Sequence, residues 1–443
     1  MGHTWSMDLL RADPLPELRT RTSMKWRAYP DDVLPLFVAE MDYPLAEPVK
    51  AALIDLIERS DLGYISGCEE LARPFAAFAA ARWGWMLDPS GVRTTTDVSV
   101  AAVESLRQAI APGDRVVITP PVYQPFFEYV TEAGGVVVEV PLLEVWRDAV
   151  GDAVGDAAGN SVGDAGGDSV RTTDRWALDL DGLERAFAAG ATAFLLCNPH
   201  NPLGLVHPRE TLERVAALAL KYGAIIVSDE IHGPLVHDPS TFTPFLNVSP
   251  AAREVGITLT SASKGWNLAG AKCALMVAQA ERTLALLDAM PDEVFMRTSQ
   301  LGLHASIAAF ADGVPWLDAM LATLTASSDL LAELLAEQLP QVVFARPQAS
   351  YLAWLDFSGL GWGPDPSFRA LEAARVALSP GLGFGREGAG YARLNFACSP
   401  EVLTQAVSRL AQAAALVSAA EAAAVQLPAA AQSPAPAETE VSR

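Results

Sequence analysis

The feature that most limits the fold of this chain is a series of short, continuous apolar segments separated by longer helical stretches. Five segments contain mostly aliphatic or β-branched residues, at 115–118, 135–140, 193–197, 224–228 and 257–260. Between two of them, residues 210–221 place Leu212, Val215 and Leu218 on one helical face. Apolar strands that alternate with helices are typical of a parallel sheet covered on both faces. The sequence therefore predicts an α/β fold with a mainly parallel sheet, and such sheets bind ligands beyond the carboxyl ends of their strands.

The rest of the chain predicts a smaller α+β unit. After about residue 290 the pattern is mostly helical, and two strand-like segments follow at 350–357 and 391–396. A last helix is predicted from Glu401 to about Ala424. We expect the large domain at residues 50–290 and the small domain at residues 1–49 together with 291–425.

Two segments have compositions that cannot supply a hydrophobic core. Residues 148–174 contain a Gly/Asp/Ala/Ser repeat without large apolar side chains, and residues 426–443 are rich in Ala, Pro, Ser and Glu. Such segments bury too little apolar surface to offset the entropy of ordering. We expect a mobile surface insertion and a disordered tail. A lid over a site is the alternative interpretation of the insertion.

Charge and cysteine content exclude several classes of protein. The 443 residues carry a formal net charge of −22, which argues against binding to nucleic acid and to anionic membranes. The four cysteines, Cys68, Cys197, Cys273 and Cys398, form no C-x-x-C pair and no cluster with zinc spacing. The sequence has no signal-peptide pattern and no apolar run of about 18 residues. We expect a soluble, cytoplasmic protein without a bound metal.

Lys264 and Asp229 each follow or end a buried segment. Lys264 lies just beyond residues 257–260, between two serines, Ser261 and Ser263, on one side and a glycine-bearing loop on the other. A lysine that ends a buried strand is well placed to form a Schiff base with an aldehyde cofactor, and the two hydroxyls could bind a phosphate. A desolvated carboxylate at Asp229 needs a cationic partner, such as a protonated pyridine nitrogen. The alternative for Asp229 is a helix N-cap.

Three other side chains follow strands and could contact the same ring. Asn201 lies in the polar turn at 197–204, and His232 comes three residues after Asp229, so both could reach a ring oxygen. Tyr123 follows the strand at 115–118 and could lie flat on a ring face. The alternatives are an ordinary Asn-Pro turn, a structural histidine and core packing.

The apolar helix predicted from Ala101 to Ile110 is preceded by Thr96-Asp97-Val98-Ser99. A helix N-terminus offers backbone N–H groups to a phosphate. The carboxylate of Asp97 would repel a phosphate, so the backbone or Ser99 must bind it.

Eight segments together resemble the fold-type I pyridoxal 5′-phosphate enzymes of the class I/II aminotransferase superfamily. Within it, the chain is most similar to the cystathionine β-lyase branch, the MalY/PatB-type C–S lyases. The segments are VAEMD at 38–42, GY at 63–64, PVYQPF at 121–126, CNPHNPLG at 197–204, SDEIH at 228–232, SASKGWNLAG at 261–270, YLAWLDF at 351–357 and GYARLNFACS at 390–399. The resemblance extends over about residues 20–420 and implies the pyridoxal-phosphate-dependent transferase fold.

The resemblance implies a role for each candidate residue. Lys264 is the Schiff-base lysine, Asp229 pairs with the pyridine nitrogen, and Tyr123 stacks on the ring. Asn201 and His232 lie near the ring hydroxyl, and Arg393 binds the α-carboxylate of the substrate. The phosphate is bound by the turn at 97–99, by neighbouring serines, and by a tyrosine of the other subunit of a homodimer: Val98, Ser99, Ser261, Ser263 and Tyr64.

The chain departs from the family pattern at four places. Asp97 replaces the usual glycine of the phosphate turn, and Lys272 stands where many aminotransferases have a phosphate-binding arginine. Leu203 replaces the commoner threonine, and the insertion at 148–174 is longer than the family needs.

The activity implied is β-elimination from L-cystathionine or a related L-cysteine S-conjugate, which gives a thiol, pyruvate and ammonia. An aminotransferase is the rival interpretation, because the same lysine can move the proton to the cofactor instead. A third is a regulatory protein, either without catalysis or with both functions. The catalytic residues alone do not separate the first two.

Overall fold

The computed structural model describes residues 9–145 and 176–425, with side chains as far as residue 417. The predicted insertion at 148–174 and the predicted tail at 426–443 lie outside these residues.

Seven strands form the central sheet, and six of them run in the same direction. In spatial order they are β2 (Val92–Thr95), β10 (Ala274–Val277), β9 (Gly256–Thr260), β8 (Ile225–Asp229), β7 (Ala191–Cys197), β3 (Arg115–Ile118) and β4 (Val136–Glu139). Only β10 among these seven is antiparallel to its neighbours. The five strands predicted from apolar segments are confirmed, and so is the α/β class.

Helices cover both faces of this sheet because successive strand residues point to opposite sides. In β7, Phe194 and Leu196 join one hydrophobic cluster, whereas Ala193 and Leu195 join the other. One face is covered by α5 (Val98–Ala109), α6 (Pro125–Glu132) and α11 (Glu281–Asp288). The opposite face is covered by α4 (Glu69–Trp83), α7 (Leu180–Ala188), α8 (Arg209–Tyr222), α9 (Pro250–Val255) and α13 (Gln300–Asp312).

A second, antiparallel sheet lies in the C-terminal part of the chain. Its strands, in spatial order, are β11 (Val343–Phe344), β12 (Leu352–Asp356), β15 (Tyr391–Asn395) and β14 (Ser379–Pro380). Two strand pairs complete the sheets: β1 (Leu34–Pro35) with β13 (Val376–Ala377), and β5 (Leu143–Glu144) with β6 (Trp176–Ala177). The pair β1–β13 joins the N-terminal segment to this second unit.

Most of the remaining helices come before the first or after the last strand of the central sheet in the sequence. They are α1 (Leu15–Leu18), α2 (Met24–Arg27), α3 (Glu47–Glu58), α10 (Ala262–Gly265), α12 (Asp292–Met296), α14 (Val314–Gln338), α15 (Pro366–Ala374) and α16 (Pro400–Val425). We propose residues 50–290 as the large domain, since all seven central strands fall between 92 and 277. Residues 1–49 with 291–425 are then the small domain.

In the described part of the chain, one helix is long and apolar enough to cross a membrane. It is α14, with a mean hydropathy of 1.3. Half of its most apolar window is buried inside the protein, and Leu317, Leu324 and Leu331 are fully buried. These side chains belong to the main hydrophobic core, so α14 is a core helix.

The carboxyl ends of the central parallel strands meet at one edge of the sheet. Strand β7 ends at Cys197, β8 at Asp229 and β9 at Thr260. Helix α5 begins at Val98, directly after β2. The polar turns predicted to carry chemistry therefore converge at this edge, as open α/β sheets require.

Candidate active site

Ten of the eleven residues predicted for the site line one cavity at this edge. The cavity has an empty volume of about 960 Å³ and is open to solvent. The ten residues are Val98, Ser99, Tyr123, Asn201, Asp229, His232, Ser261, Ser263, Lys264 and Arg393. Tyr64 does not line this cavity, and 89% of its surface is exposed.

Lys264 lies in the short helix α10, so the prediction that it ends a strand is wrong. Strand β9 stops at Thr260 because Ser261 caps α10, its hydroxyl accepting a hydrogen bond from Ser263 N at 3.1 Å. The Lys264 ammonium donates to the carbonyl oxygen of Ala39 at 3.0 Å. Burial, reinforced by the guanidinium of Arg393, lowers the pKa of Lys264 to about 8. A neutral amine is therefore available near physiological pH.

Asp229 is the last residue of β8 and is almost fully buried. Its Oδ1 accepts a hydrogen bond from Ile231 N at 3.1 Å, which shapes a turn and is not a helix cap. Burial raises the pKa of Asp229 to about 6. Within the described residues no cationic side chain forms a salt bridge with it. A cationic group in the cavity would compensate this buried carboxylate.

Arg393 is a buried cation in β15 that also lacks an acidic partner among the described residues. Its Nη1 donates to Asn201 Oδ1 at 2.9 Å, and its Nη2 donates to Phe37 O and to Ser379 Oγ, both at 3.1 Å. The guanidinium carbon lies 4.9 Å from the ring centroid of Phe384. Since Nε has no hydrogen-bond partner among the described residues, the guanidinium can still donate to a carboxylate.

Asn201, His232 and Tyr123 line the same cavity as Lys264 and Asp229. Burial and the charges of Lys264 and Arg393 lower the pKa of His232 to about 3, so its ring is neutral. Its Nδ1 is buried without a hydrogen-bond partner. Tyr123 is half-buried, and its ring meets that of Phe126 edge-on at 6.2 Å. The unpartnered nitrogen indicates that a polar ligand group belongs here.

The other end of the cavity is formed by the N-terminus of α5 and the loop around α10. The N–H groups of Val98 and Ser99 have no acceptor within the helix, because they lie in its first turn. The hydroxyl of Ser99 accepts from Tyr129 Oη at 2.5 Å and keeps its own proton to donate. The Ser261 hydroxyl instead donates to Cys273 O at 2.6 Å. The Ser261 hydroxyl is thus already hydrogen-bonded to the protein backbone, whereas the sequence predicted that it binds the phosphate.

The structure adds a segment to the site that the sequence did not assign: residues 37–42, which we call the N-terminal strap. Val38 and Ala39 line the cavity. Tyr351 Oη donates to the same Ala39 oxygen as Lys264, at 3.0 Å. The strap appeared in the sequence only as the motif VAEMD, and the two side chains that bind Ala39 O lie more than 200 residues away.

Asparagine side chains and a buried ion pair hold this strap. Asn267 brackets Met41, accepting from its N and donating to its O, both at 2.9 Å. Asn395 Nδ2 donates to Val38 O at 2.7 Å and Glu40 O at 2.6 Å. Lys25 Nζ donates to Asp42 Oδ1 at 2.6 Å and to Glu40 O at 3.2 Å.

We expect Lys25→Met to destabilise the protein by about 3–5 kcal/mol, because it leaves the fully buried Asp42 carboxylate without its cation. Denaturant unfolding of the purified protein measures this loss. Arg59→Met, which breaks exposed pairs with Asp55 and Asp61, is the matched control and should change the free energy of unfolding by less than about 1 kcal/mol. Equal effects of the two variants would contradict the prediction.

A lysine with a lowered pKa, a buried carboxylate without a cation, a buried guanidinium without an anion and a helix N-terminus share one cavity. This set fits pyridoxal 5′-phosphate: Lys264 for the aldehyde, Asp229 for the ring nitrogen, His232 and Asn201 for the ring oxygen, and the α5 N-terminus for the phosphate. The described residues contain no group of three His, Cys, Asp or Glu side chains that could hold a metal. The fold and the cavity define a fold-type I pyridoxal-phosphate-dependent enzyme.

The chain belongs to the aminotransferase class I and II family, whose model matches residues 31–410. A cystathionine β-lyase of Corynebacterium glutamicum is 34% identical over 91% of this chain and 99% of its own length. A Mycobacterium leprae protein that carries the same name provisionally is 40% identical over 90% of this chain and 96% of its own length. The cystathionine β-lyase PatB of Bacillus subtilis is 31% identical over 86% of this chain and 92% of its own length, which places the chain in the MalY/PatB-type branch.

A crystal structure from Corynebacterium diphtheriae agrees with this placement. The protein, provisionally named a pyridoxal-phosphate-dependent β-cystathionase, superimposes with a TM-score of 0.81 and is 32% identical. The superposition covers 92% of this chain and 99% of the other. The predicted family and fold are confirmed.

Proposed function

We propose that this protein is a pyridoxal-phosphate-dependent carbon–sulfur β-lyase that cleaves L-cystathionine or a related L-cysteine S-conjugate. The products are a thiol (homocysteine from cystathionine), pyruvate and ammonia. The convergence of Lys264, Asp229 and Arg393 on one cavity supports pyridoxal-phosphate chemistry on an amino acid. Similarity to cystathionine β-lyases carries the choice of elimination over transamination. The cystathionine β-lyase of C. glutamicum, similar over nearly its whole length, supports the choice of substrate class.

Substrate binding begins at Arg393. Its guanidinium is held by Asn201, Ser379 and the backbone of Phe37, so its position is fixed before a ligand arrives. A bidentate interaction with the α-carboxylate satisfies a cation that is otherwise buried without an anion. The amino acid is thereby oriented with its Cα toward Lys264, and such orientation lowers the activation barrier.

Proton transfer falls to Lys264. Its neutral Nζ removes the Cα proton of the substrate, which its lowered pKa permits near neutral pH. When bound, the cofactor supplies an electron sink for the charge that this step leaves on Cα. Asp229 keeps the ring nitrogen cationic and so strengthens that sink.

Breaking the Cβ–S bond completes the elimination. The electron pair of that bond leaves with sulfur as a thiolate, which takes a proton to become the thiol. Thiolates leave readily because a thiol has a pKa of about 8.5, far below that of an alcohol. Water then hydrolyses the released unsaturated amino acid to pyruvate and ammonia.

An aminotransferase remains the second candidate, since the matching family model covers aminotransferases of classes I and II. Incubation of the purified protein with L-cystathionine, without any ketoacid, tests the choice. Continuous release of pyruvate and thiol in equal amounts supports the lyase. Activity that stops after one turnover and resumes when a ketoacid is added would overturn the lyase in favour of the aminotransferase.

The pH dependence of cofactor capture is a further expected result. Protein stripped of cofactor should bind pyridoxal 5′-phosphate about tenfold more slowly for each pH unit below about 8, because only the neutral Lys264 amine attacks the aldehyde. The rate should level off above that pH. Stopped-flow absorbance measures it. A midpoint near 10, the ordinary value for lysine, would contradict the burial argument.

We also propose that the protein is a cytoplasmic homodimer in which Tyr64 reaches the cofactor phosphate of the other subunit. Tyr64 is 89% exposed in the single chain, and Leu62 and Ile57 nearby are 55% and 60% exposed, as residues at a subunit interface are before assembly. All four cysteines are free, which suits a reducing compartment. Sedimentation velocity tests the dimer, and a monomer with full cofactor affinity would contradict it.

A further inference from the structure

We propose that Asp97 is a charge-balancing residue that neutralises Lys272 at the phosphate end of the cavity and thereby weakens the binding of the cofactor phosphate. The inference rests on the proposed function only in placing the phosphate at the N-terminus of α5. It concerns the position where this chain carries an aspartate in place of the glycine usual in the phosphate turn.

Each carboxylate oxygen of Asp97 binds a different partner. Oδ1 accepts a hydrogen bond from Val100 N at 3.0 Å and so caps α5. Oδ2 forms an ion pair with Lys272 Nζ at 2.9 Å. Both residues line the cavity, beside the free N–H groups of Val98 and Ser99. The Asp97 carboxylate is therefore held next to the position that a phosphate at the N-terminus of α5 would occupy.

Lys272 is held in this place by its backbone. It has φ +64°, a left-handed conformation that is unusual for a residue with a side chain. Its carbonyl accepts a hydrogen bond from Ser299 N at 3.1 Å, just before α13. A Cβ on Gly302 would lie 2.8 Å from the Lys272 carbonyl carbon and oxygen, so α13 packs directly against this peptide. The ion pair thus joins Asp97, held by its hydrogen bond to Val100 N, to Lys272, held by its backbone.

The charges at this end of the cavity cancel. Among the described residues that line it, the charged side chains are Asp97, Asp229, Lys264, Lys272 and Arg393. Asp229, Lys264 and Arg393 have the roles derived above, which leaves Lys272 and Asp97 for the phosphate. The groups that still attract the cofactor phosphate are the helix N-terminus with its N–H groups and the hydroxyls of Ser99 and Ser263. A phosphate must compete with Asp97 for the ammonium of Lys272 and is repelled by the carboxylate.

The substitution Asp97→Asn separates charge from structure, because asparagine caps helices as well as aspartate. Protein stripped of cofactor is titrated with pyridoxal 5′-phosphate and, separately, with pyridoxal, which lacks the phosphate. We expect Asp97→Asn to bind the phosphorylated form about three- to tenfold more tightly and pyridoxal unchanged, a range set by solvent screening of a half-exposed pair. Lys272→Gln should weaken binding of the phosphorylated form only.

Asp179→Asn is the matched control. Asp179 caps α7 through Gly182 N at 2.8 Å and pairs with Arg185 at 3.4 Å, but it does not line the cavity. It should leave both affinities unchanged. If Lys272→Gln weakens phosphate binding while Asp97→Asn fails to strengthen it, the inference about Asp97 is wrong and the phosphate position stands. If neither variant changes the ratio of the two affinities, the phosphate position itself is wrong.

Discussion

Replacing Lys264 by alanine is expected to lower kcat/KM for pyruvate release from L-cystathionine by roughly 10⁴-fold, the largest loss of any single substitution in the site. The variant loses both the amine that binds the aldehyde and the base that removes the Cα proton. Its fold should be retained, since the Lys264 ammonium makes one hydrogen bond, to Ala39 O, and Tyr351 keeps that carbonyl occupied.

Lys50→Ala is a suitable control for Lys264→Ala, because Lys50 is exposed and its salt bridge within the described residues is to the exposed Glu47 on α3. It should leave kcat/KM unchanged. Added primary amines should restore part of the activity of Lys264→Ala by serving as an external base, and rescue should increase with the amine's free-base concentration. Retention of wild-type pyruvate release in Lys264→Ala would remove the basis of the proposed mechanism.

Asp229→Asn is expected to lower kcat by roughly 10²–10³-fold with a smaller change in KM. The amide can still accept the hydrogen bond from Ile231 N, so the turn after β8 should persist. What is lost is the negative charge that would hold the ring nitrogen protonated. Steady-state kinetics of pyruvate release measure the effect.

A cofactor analogue with a methylated ring nitrogen carries a permanent positive charge and should restore much of the activity of Asp229→Asn. Asp114→Asn is the control, since Asp114 also accepts a backbone hydrogen bond, from Ala111 N at 2.9 Å, but lies outside the cavity. An unchanged kcat in Asp229→Asn, or a loss that the methylated analogue does not relieve, would contradict the role given to this carboxylate.

Local patterns predicted the central strands and the residues that follow them. Strands β3, β4, β7, β8 and β9 are mostly apolar segments, because a sheet covered on both faces buries most of its side chains. The edge strand β4 is the exception, since its side chains are exposed or only partly buried. Strand β2 was not predicted because Arg93 interrupts its apolar pattern. The Arg93 side chain forms a salt bridge with Asp288 on the surface. Strand β10 was not predicted because three of its four residues, Ala274, Leu275 and Met276, are of types that favour helices, so its composition does not indicate a strand.

Other parts of the site depend on contacts that no local pattern contains. The hydrogen bond from Ser263 N to the Ser261 hydroxyl begins α10 and so places Lys264 in a helix and not at the end of a strand. The pairing of Asp97 with Lys272 joins residues 175 positions apart, and the bond from Tyr351 to Ala39 joins residues 312 apart. A sequence shows which residues exist at these positions, but the packing of the two units decides which of them meet.

The N-terminal strap determines when, during synthesis of the chain, the active site can be completed. Its backbone depends on Asn395 and, through Phe37 O, on Arg393, both near the C-terminal end of the described chain. Ribosomal synthesis proceeds from the N-terminus, and contacts between distant segments must wait for the later one. A nascent chain that has not reached residue 395 already contains every strand of the central sheet and Lys264, but it lacks the residues that hold the strap beside that lysine. Competence to use an amino acid therefore requires translation beyond residue 395.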